Sequence, residues 1–431
     1  MLKKLRNSPV ASNAGWIIAC KLCKAALTLV STMIVSRYLG VDKYGILHYA
    51  SSLVTFFTPI MQLGLNEILV HEIIASPERE GKTVGTVVVM NLAASILCVL
   101  GIVGFVSVLH ADEKDTILVC ICYSLKLVFQ ATEMIFYWFQ AKLKSKYTSL
   151  AILAAYICVV LLQALFIFLH FDVYLFALAN ALEFLLITVI LLAFYFKQGA
   201  QKLSFSMSAA KELFSKSKYY IISGLMVVVF SQTDKMMLKW MCDNAEVGFY
   251  SAAMTCATMT SFVFVAIIDS IRPTIFSSKN DTAQFEQKLK FLYSVIIWCS
   301  LLQSAVMTVA SPIIIRILYG AEYMGAINIL RIVVWFTTFS YIGTVRNIWI
   351  LSCGYQRYLG WINLSGAMMN IMLNALMIPH YGAIGAAIAS VISQIFTNVI
   401  IGYILPPLRK NNKLMFQAIS PKPMIKYILG K

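Results

Sequence analysis

The stretch GLMVVVFSQTDKMMLKWMCDNAEVGFYSAA, from Gly224 to Ala253, places charged residues inside an apolar run. It begins apolar, carries Asp234 and Lys235 inside the apolar run, passes through the polar segment DNAE and becomes apolar again at Gly248. An isolated charge at mid-membrane depth costs about 2.5–3.5 kcal/mol. We therefore expect this acid and this base to face a partner or a water-filled cavity.

A similar arrangement occurs once earlier, where RYLGVDKYG, residues 37–45, ends the first apolar run. Gly45 restarts an apolar run there, as Gly248 does in the later stretch. The two glycines lie 203 residues apart, which is close to half of the 431-residue chain. The sequence therefore predicts an internal duplication, in which each half opens with a charged helix and a tight outer turn.

The composition is that of a membrane protein. Hydrophobic residues make up 60% of the chain and charged residues only 13%, whereas a soluble domain has roughly 45–50% and about 25%. A membrane-crossing helix needs about 20 apolar residues. We predict an all-α polytopic membrane protein with about 12 transmembrane helices, in two six-helix lobes related by a pseudo-two-fold repeat.

The domain boundaries follow from the apolar runs. Residues 1–197 contain the first six predicted spans, and residues 219–405 contain the second six. The polar, basic stretch 198–218 is predicted to be a cytoplasmic linker between the lobes. Residues 406–431 are predicted to form a basic cytoplasmic tail.

The distribution of positive charge predicts the orientation. Of the 35 Lys and Arg residues, 24 fall in segments assigned to the cytoplasmic side, four in outer loops and seven within spans. The positive-inside rule then puts both termini in the cytoplasm. The net charge of +16 is explained by basic loops beside anionic lipid, so we expect membrane lipids and no nucleic acid as partners. The outer loops are short, so we expect a transporter without catalytic residues and not an enzyme.

Cations inside the spans are the first candidates for substrate binding. Lys21 and Lys24 lie three residues apart and share a helical face, and Arg331 and Arg346 differ by only about 60° around one helix. Arginine suits bidentate contacts with phosphate. The alternative is that Lys21 reaches back to the interface and that Arg331 marks a helix end. We predict a central basic cavity for an anionic substrate, lined by Lys21, Lys24, Arg37, Lys126, Arg331 and Arg346.

Acids inside the spans are the candidates for ion coupling. Glu67 and Asp234 have no obvious partner at helical spacing, so we predict that they bind a coupling ion, H+ or Na+. Glu133 lies seven residues after Lys126, and we favour a structural role in which it balances that lysine.

Two polar stripes follow helical spacing in the second half. Hydrogen bonds between helices explain them best, and lining of a polar cavity is the alternative. The stripes are Asn363, Asn370 and Asn374, and Ser390, Gln394 and Asn398.

The sequence offers no metal or nucleotide chemistry. The ten cysteines have no disulfide spacing and the five histidines are dispersed, so we expect no metal site. No phosphate-binding P-loop motif occurs. We expect no cofactor other than the coupling ion.

Several motifs together resemble the polysaccharide repeat-unit flippases of the Wzx type. This family belongs to the superfamily of multidrug, oligosaccharidyl-lipid and polysaccharide exporters, and the resemblance covers nearly the whole chain. The motifs are RYLGVDKYG at 37–45, WFQAKLKSKY at 138–147, Asp234-Lys235 with VGFYSAA at 247–253, SPIIIRILYGAEYMGA at 311–326 and NLSGAMMNIMLNALMIPHYGAIGAAIA at 363–389.

The resemblance implies a bacterial inner-membrane protein with two six-helix lobes. Its substrate would be an undecaprenyl-diphosphate-linked oligosaccharide, such as an O-antigen repeat unit of lipopolysaccharide. Alternating access would move the glycan and diphosphate through the basic cavity while the lipid tail stays in the bilayer. The implied partners are this substrate, a polysaccharide polymerase and the chain-length machinery.

Two other functions are weighed against this one. A cation-coupled multidrug exporter of the same superfamily is expected to carry more acids than bases in its spans, whereas this chain has seven bases and five acids there. A membrane polysaccharide polymerase is expected to carry a large outer loop with arginines, which this sequence lacks.

Overall fold

The computed structural model describes residues 9–279 and 281–420 of the chain, with side chains from residue 19 onward. Within these residues the chain is almost entirely helical and has no β-strand. The prediction of an all-α fold is confirmed. Residues 1–8 of the predicted first lobe and 421–431 of the predicted tail lie outside the described residues, as do both termini.

The described chain divides into two compact units, Met1–Val228 and Val229–Lys431. The division falls inside one helix, α8 (Met207–Met241). The helices of the first unit are α1 (Pro9–Gln62), α2 (Leu65–Ala75), α3 (Glu80–Leu109), α4 (Lys114–Gln130), α5 (Ile135–Ala141), α6 (Ser145–Phe168) and α7 (Val173–Lys197). Those of the second unit are α9 (Asn244–Thr258), α10 (Ser261–Ser277), α11 (Thr282–Leu318), α12 (Ala326–Ser352), α13 (Arg357–Ile395), α14 (Ile401–Ile404) and α15 (Arg409–Gln417).

Ten helical stretches among the described residues are long and apolar enough to cross a membrane. The first, Ala19–Ala75, contains a non-helical residue at Gly40, and the last, Arg357–Ile404, contains one at Gly382. Each of these two stretches is long enough for two spans at about 20 residues per span. The ten stretches therefore have the length for about 12 spans, the number predicted from the sequence.

Gly40 makes the first of these breaks with φ 71° and ψ 177°, a conformation essentially reserved for glycine. We expect Gly40→Ala to lower the free energy of unfolding by about 1–3 kcal/mol, because alanine is strained there. Thermal unfolding in detergent measures the change. Gly104→Ala is the matched control, since a Cβ at Gly104 meets nothing within 4 Å and we expect no destabilisation there.

The residues around Gly40 explain why RYLGVDKYG forms a turn. The Tyr38 hydroxyl donates to the Phe171 carbonyl at 2.8 Å, and Lys43 Nζ contacts Asp172 Oδ1 at 2.8 Å. Asp172 also caps α7 by accepting from the backbone N–H of Val173 at 2.6 Å. The hydrogen bond from Lys43 and this backbone N–H lower the pKa of Asp172. Tyr38 and Lys43 of this motif therefore hold the chain around Gly40 against the residues that precede α7.

The turn that begins the second half is built differently. Asp243 lies between α8 and α9 and caps α9, because its side chain accepts from the N–H of Glu246 at 2.9 Å. Gly45 follows Gly40 by five residues, and Gly248 follows Asp243 by five residues. The two breaks thus share their spacing, although one uses a glycine and the other a capping aspartate.

The predicted linker, 198–218, lies within the first unit and packs against its other segments. Tyr195 donates to the carbonyl of Gln201 at 2.8 Å, and the Gln201 side chain accepts from Gly81 N at 3.1 Å. From Met207 onward the segment is already part of α8, where Lys216 pairs with Glu72 at 3.0 Å. Helix α8 begins at Met207 and the division between the two units falls after Val228, whereas the second lobe was predicted to begin at residue 219.

The described part of the predicted tail lies within the second unit and packs against α11. Tyr293 donates to Asn411 Oδ1 at 2.9 Å, and Lys410 pairs with Glu286 at 2.9 Å. The hydrogen bond with Glu286 raises the pKa of Lys410. Helix α15 buries Leu414 and Met415 and keeps its lysines outside. The same buried face includes Asn411 and Asn412, so α15 is held by packing against the rest of the second unit.

Candidate functional site

Two of the predicted substrate-binding residues, Lys21 and Lys24, line one cavity of 270 Å³ in the first unit. We call it the basic cavity. Lys21 is exposed and Lys24 is partly buried, so the face predicted from their three-residue spacing does open onto free space. The other lining residues are Cys20, Phe136, Gln140, Ser145, Thr148, Ser149 and Ile152.

A second cavity of 280 Å³ also lies in the first unit and shares Lys24 with the basic cavity. We call it the polar cavity, because twelve of its fifteen lining residues carry a polar side chain. The polar residues are Lys24, Thr28, Ser31, Thr32, Tyr44, His48, Ser51, Tyr123, Tyr156, Gln163, Asn180 and Glu183; the apolar ones are Val35, Leu47 and Val159.

Lys24 is balanced by a carboxylate where the two cavities meet. Its Nζ lies 2.7 Å from Glu183 Oε1, and the two side chains are 34% and 10% exposed. The same Nζ lies 4.8 Å from the centre of the Tyr156 ring. An ion pair and a cation–π contact together offset part of the cost of a lysine at this depth. The spacing of residues in the sequence did not indicate that Glu183, 159 residues later, is its partner.

Lys126 belongs to the same group of charges. Its Nζ lies 4.7 Å from the Phe184 ring centre and 5.8 Å from that of Tyr123. Glu133 interacts electrostatically with Lys126 and Lys24 and accepts a hydrogen bond from Gln130. Glu133 thus lies near Lys126, as the structural interpretation requires, and also within electrostatic range of Lys24. Lys126 itself lines neither cavity.

Arg37 and Arg331 are not brought into either cavity. Arg37 is exposed, 13 residues after Lys24 and therefore about 20 Å further along α1. Arg331 is exposed near the start of α12, where its guanidinium contacts Ser311 Oγ and Asn328 Oδ1, each at 3.1 Å. The alternative interpretation of Arg331, as a helix-end residue, describes this placement.

Arg346 is buried in the second unit, with 3% of its surface exposed. It donates to the Thr397 carbonyl at 2.6 Å and to Asn347 Oδ1 at 3.0 Å. Thr397 lies in the π-helical turn Phe396–Ile400 that follows α13, where the widened turn frees backbone carbonyls. Within the described residues, Arg346 has no carboxylate partner and its Nε has no hydrogen bond. Arg331 and Arg346 therefore share a helix but not an exposed surface.

We expect Arg346→Ala to reduce the amount of folded protein, because it removes a buried donor from the Thr397 carbonyl and leaves a cavity. The expected loss in the free energy of unfolding is about 2–4 kcal/mol. Arg346→Lys should lose less stability than Arg346→Ala, because lysine keeps a positively charged donor. Size-exclusion chromatography and thermal unfolding measure the change, and a normal amount of folded Arg346→Ala protein with low transport would instead favour direct substrate contact.

Asp234 lies at the centre of a buried hydrogen-bond network in the second unit. The network joins α8, α9 and both sides of the Gly382 break in α13. Asp234 is 4% exposed. Its carboxylate accepts from Tyr250 at 2.5 Å, Ser390 at 2.5 Å, Asn374 at 2.6 Å and Asn370 at 3.0 Å.

The network explains parts of both polar stripes. Asn370 and Asn374 belong to the first stripe and Ser390 to the second, so contact between helices accounts for these three residues. Gln394 and Asn398 pair with each other at 2.5 Å. Tyr250 is the member that the sequence did not indicate, because aromatic residues are common in such runs.

Glu67, the other predicted coupling residue, is exposed in the first turn of α2. It accepts from Asn66 Nδ2 at 3.0 Å, and α2 starts after Gly64, which has φ 66°. The two predicted coupling residues thus differ: Asp234 is enclosed by four donors and Glu67 is not buried.

In the described part of the chain, no group of three or more His, Cys, Asp or Glu residues is arranged to hold a metal ion.

The chain matches the family model for polysaccharide biosynthesis proteins over residues 10–279, more than half of its length. It is 29% identical over 256 residues to an uncharacterised membrane protein of Methanocaldococcus jannaschii, covering 54% of this chain and 49% of that protein. It is 23% identical over 202 residues to a probable low-salt glycan biosynthesis flippase of Haloferax volcanii, covering 45% and 43%. The chain spans about half the length of the curated relatives it matches.

Solved structures of two transporters share the fold. The lipid II flippase MurJ in an inward closed conformation superposes with a TM-score of 0.75 at 14% identity, covering 96% of this chain and 92% of that chain. An inward-facing multidrug resistance transporter of the MATE family gives 0.72 at 14% identity, covering 92% and 96%. Both neighbours are membrane transporters, and at this identity they show the fold alone. The family model confirms the resemblance drawn from the sequence motifs at the level of the family. The chain therefore belongs to the family of polysaccharide biosynthesis proteins.

Proposed function

We propose that this protein is a flippase that moves a lipid-linked oligosaccharide from the cytoplasmic to the outer leaflet by alternating access. The proposed substrate is a repeat unit, such as that of O-antigen, carried on a polyprenyl diphosphate, which is undecaprenyl diphosphate in a bacterial membrane. Family membership and the flippase among the relatives support this class of substrate.

The single observation that carries the proposal is the pair of lysines in the basic cavity. Lys24 is matched by Glu183, whereas Lys21 has no carboxylate partner within the described residues. The lining thus has one positive charge in excess beside three hydroxyl groups, those of Ser145, Thr148 and Ser149. A diphosphate accepts hydrogen bonds from such groups and compensates the charge. A cationic drug would be repelled by Lys21, which favours the glycan carrier over a multidrug substrate.

The membrane and the orientation are part of the proposal. We propose the bacterial inner membrane, with both termini in the cytoplasm, so that the product appears where a polymerase and the chain-length machinery extend it. Short tags next to Lys43 and Glu322 should be accessible from outside the cell, and a tag next to Lys211 only after permeabilisation. If the Lys211 tag is accessible in intact cells, the proposed orientation is wrong.

We propose that transport is coupled to a gradient of H+ or Na+ and that Asp234 is the first candidate to bind the ion, with Glu67 the second. The four donors around Asp234 hold its carboxylate in place. Asn374 Oδ1 has no hydrogen-bond partner within the described residues, so a cation that reached the carboxylate would find a second oxygen beside it.

The decisive experiment is deletion of the gene in its native host, followed by mass analysis of the accumulated lipid-linked intermediates. We expect a complete repeat unit on its polyprenyl diphosphate carrier to accumulate on the cytoplasmic side. Unchanged amounts of every lipid-linked saccharide in the deletion strain would contradict the proposal.

A further inference from the structure

We propose that the polar cavity of the first unit is a carbohydrate subsite, which holds the sugar ring bonded directly to the diphosphate. The inference rests on the proposed flippase function, because it assigns one part of that substrate to one part of the chain. The substrate class it names is an uncharged sugar, as distinct from the acidic diphosphate.

The lining has the chemistry that a sugar requires. A pyranose presents hydroxyl groups around its rim and C–H groups on its faces, so it is bound by amides, carboxylates and hydroxyls together with aromatic rings. The polar cavity supplies Gln163, Asn180 and Glu183 as hydrogen-bonding groups and Tyr123 and Tyr156 as rings. Polar and ionisable residues inside helices that cross a membrane are rare, and they commonly mark substrate pathways.

The three hydrogen-bonding side chains have capacity left for a ligand. Gln163 uses its Oε1 to accept from Ser31 at 2.7 Å, which leaves its amide N–H groups. Asn180 donates to the Phe176 carbonyl at 2.8 Å, which leaves its Oδ1. Glu183 contacts Lys24 through Oε1, which leaves Oε2. Two acceptors and one donor group are thus available, and hydroxyl groups can both donate and accept.

The connection between the cavities matches the connectivity of the substrate. Lys24 lines both, and in a polyprenyl diphosphate saccharide the first sugar is bonded directly to the diphosphate. Along α1, Lys21 lies in the basic cavity, and Thr28 and Val35 follow in the polar cavity. Val35 is about 16 Å beyond Lys24 at 1.5 Å per residue. On the predicted topology the diphosphate thus lies near the cytoplasmic leaflet and the sugar deeper.

Charge and size limit the ligand. Lys24 and Glu183 compensate each other, and His48 is the remaining titratable group of the lining apart from the tyrosines. This balance suits an uncharged ring. The volume of 280 Å³ is just below the range of about 300–1,000 Å³ typical of small-molecule sites, which suits a single ring. An acyl chain there would leave the remaining Gln163 N–H groups, Asn180 Oδ1 and Glu183 Oε2 without a ligand partner, at a cost for each.

The test compares two carriers in vesicles that contain the purified full-length protein. One is a fluorescent polyprenyl diphosphate with a single uncharged hexose, and the other is the same carrier without a sugar. For the wild type we expect competition experiments to show about tenfold preference for the sugar-bearing carrier. This measurement needs no variant.

Variants then locate the preference. Asn180→Leu and Gln163→Met should each lower the rate for the sugar-bearing carrier about tenfold and leave the sugar-free carrier within about twofold. Lys21→Ala, in the basic cavity, should lower both rates alike. Equal rates for both carriers in the wild type, or equal effects of Asn180→Leu on both, would overturn the subsite while the flippase function stands. Movement of neither carrier by the wild type would overturn both proposals.

Discussion

Replacement of Asp234 by alanine is expected to abolish transport and to lower the free energy of unfolding by about 3–5 kcal/mol. The reason is that Tyr250, Ser390, Asn370 and Asn374 all donate to this one carboxylate. Each buried donor without an acceptor costs about 1–3 kcal/mol, and effects within one network are not additive. Thermal unfolding in detergent and uptake into vesicles measure the two effects.

Asp234→Asn separates stability from coupling. It keeps the size of the side chain and one acceptor oxygen but removes the charge, so more folded protein should remain while the pH or Na+ dependence of transport changes. The matched control is Asp269→Asn, another acid in a span, which is 52% exposed and paired with Arg272 at 3.0 Å. If transport by Asp234→Asn depends on pH and Na+ as in the wild type, Asp234 has a structural role and does not bind the coupling ion. Glu67→Gln tests the second candidate in the same way.

Replacement of Lys24 by alanine is expected to lower transport about tenfold or more, because it removes the cation shared by the basic and polar cavities. It also leaves Glu183, 10% exposed, without its partner. Breaking a fully buried pair costs about 3–5 kcal/mol, and since Lys24 is one-third exposed we expect about 1–3 kcal/mol.

The double variant Lys24→Ala, Glu183→Gln distinguishes the two causes. It removes the unpaired charge, so stability should return towards that of the wild type. Transport should stay below that of Glu183→Gln alone, which lacks the same polar-cavity carboxylate but keeps Lys24. Lys21→Ala should lower transport without a change in stability, and Lys114→Ala, at the exposed start of α4, should do neither. Wild-type transport in the double variant would remove Lys24 from the binding site.

The sequence was sufficient to predict the fold class and the positions of the breaks. Apolar length, the charged turn before Gly45 and the segment DNAE before Gly248 all correspond to features of the backbone. This is because helix length and helix ends are determined by residues close to each other in the chain. The placement of Lys21 and Lys24 on one helical face was predictable for the same reason.

Contacts between distant residues were less predictable. Glu183 is 159 residues from Lys24, and Tyr250 and Ser390 meet Asp234 from two other helices. Periodicity shows which side of a helix is polar but not which helix packs against it. Arg331 and Arg346 show the same limit, because their angular separation was small and yet one is exposed and the other is enclosed beside a π-helical turn.

The sharp break at Gly40 has a consequence for digestion experiments. A protease needs several consecutive residues in an extended conformation, and here helix resumes directly after one glycine, with Lys43 fastened to Asp172. Trypsin added from outside should therefore cut slowly after Lys43, although a lysine is present. Asp172→Asn removes the ion pair with Lys43. We expect it to increase the rate of cleavage after Lys43 without a change in the global unfolding temperature.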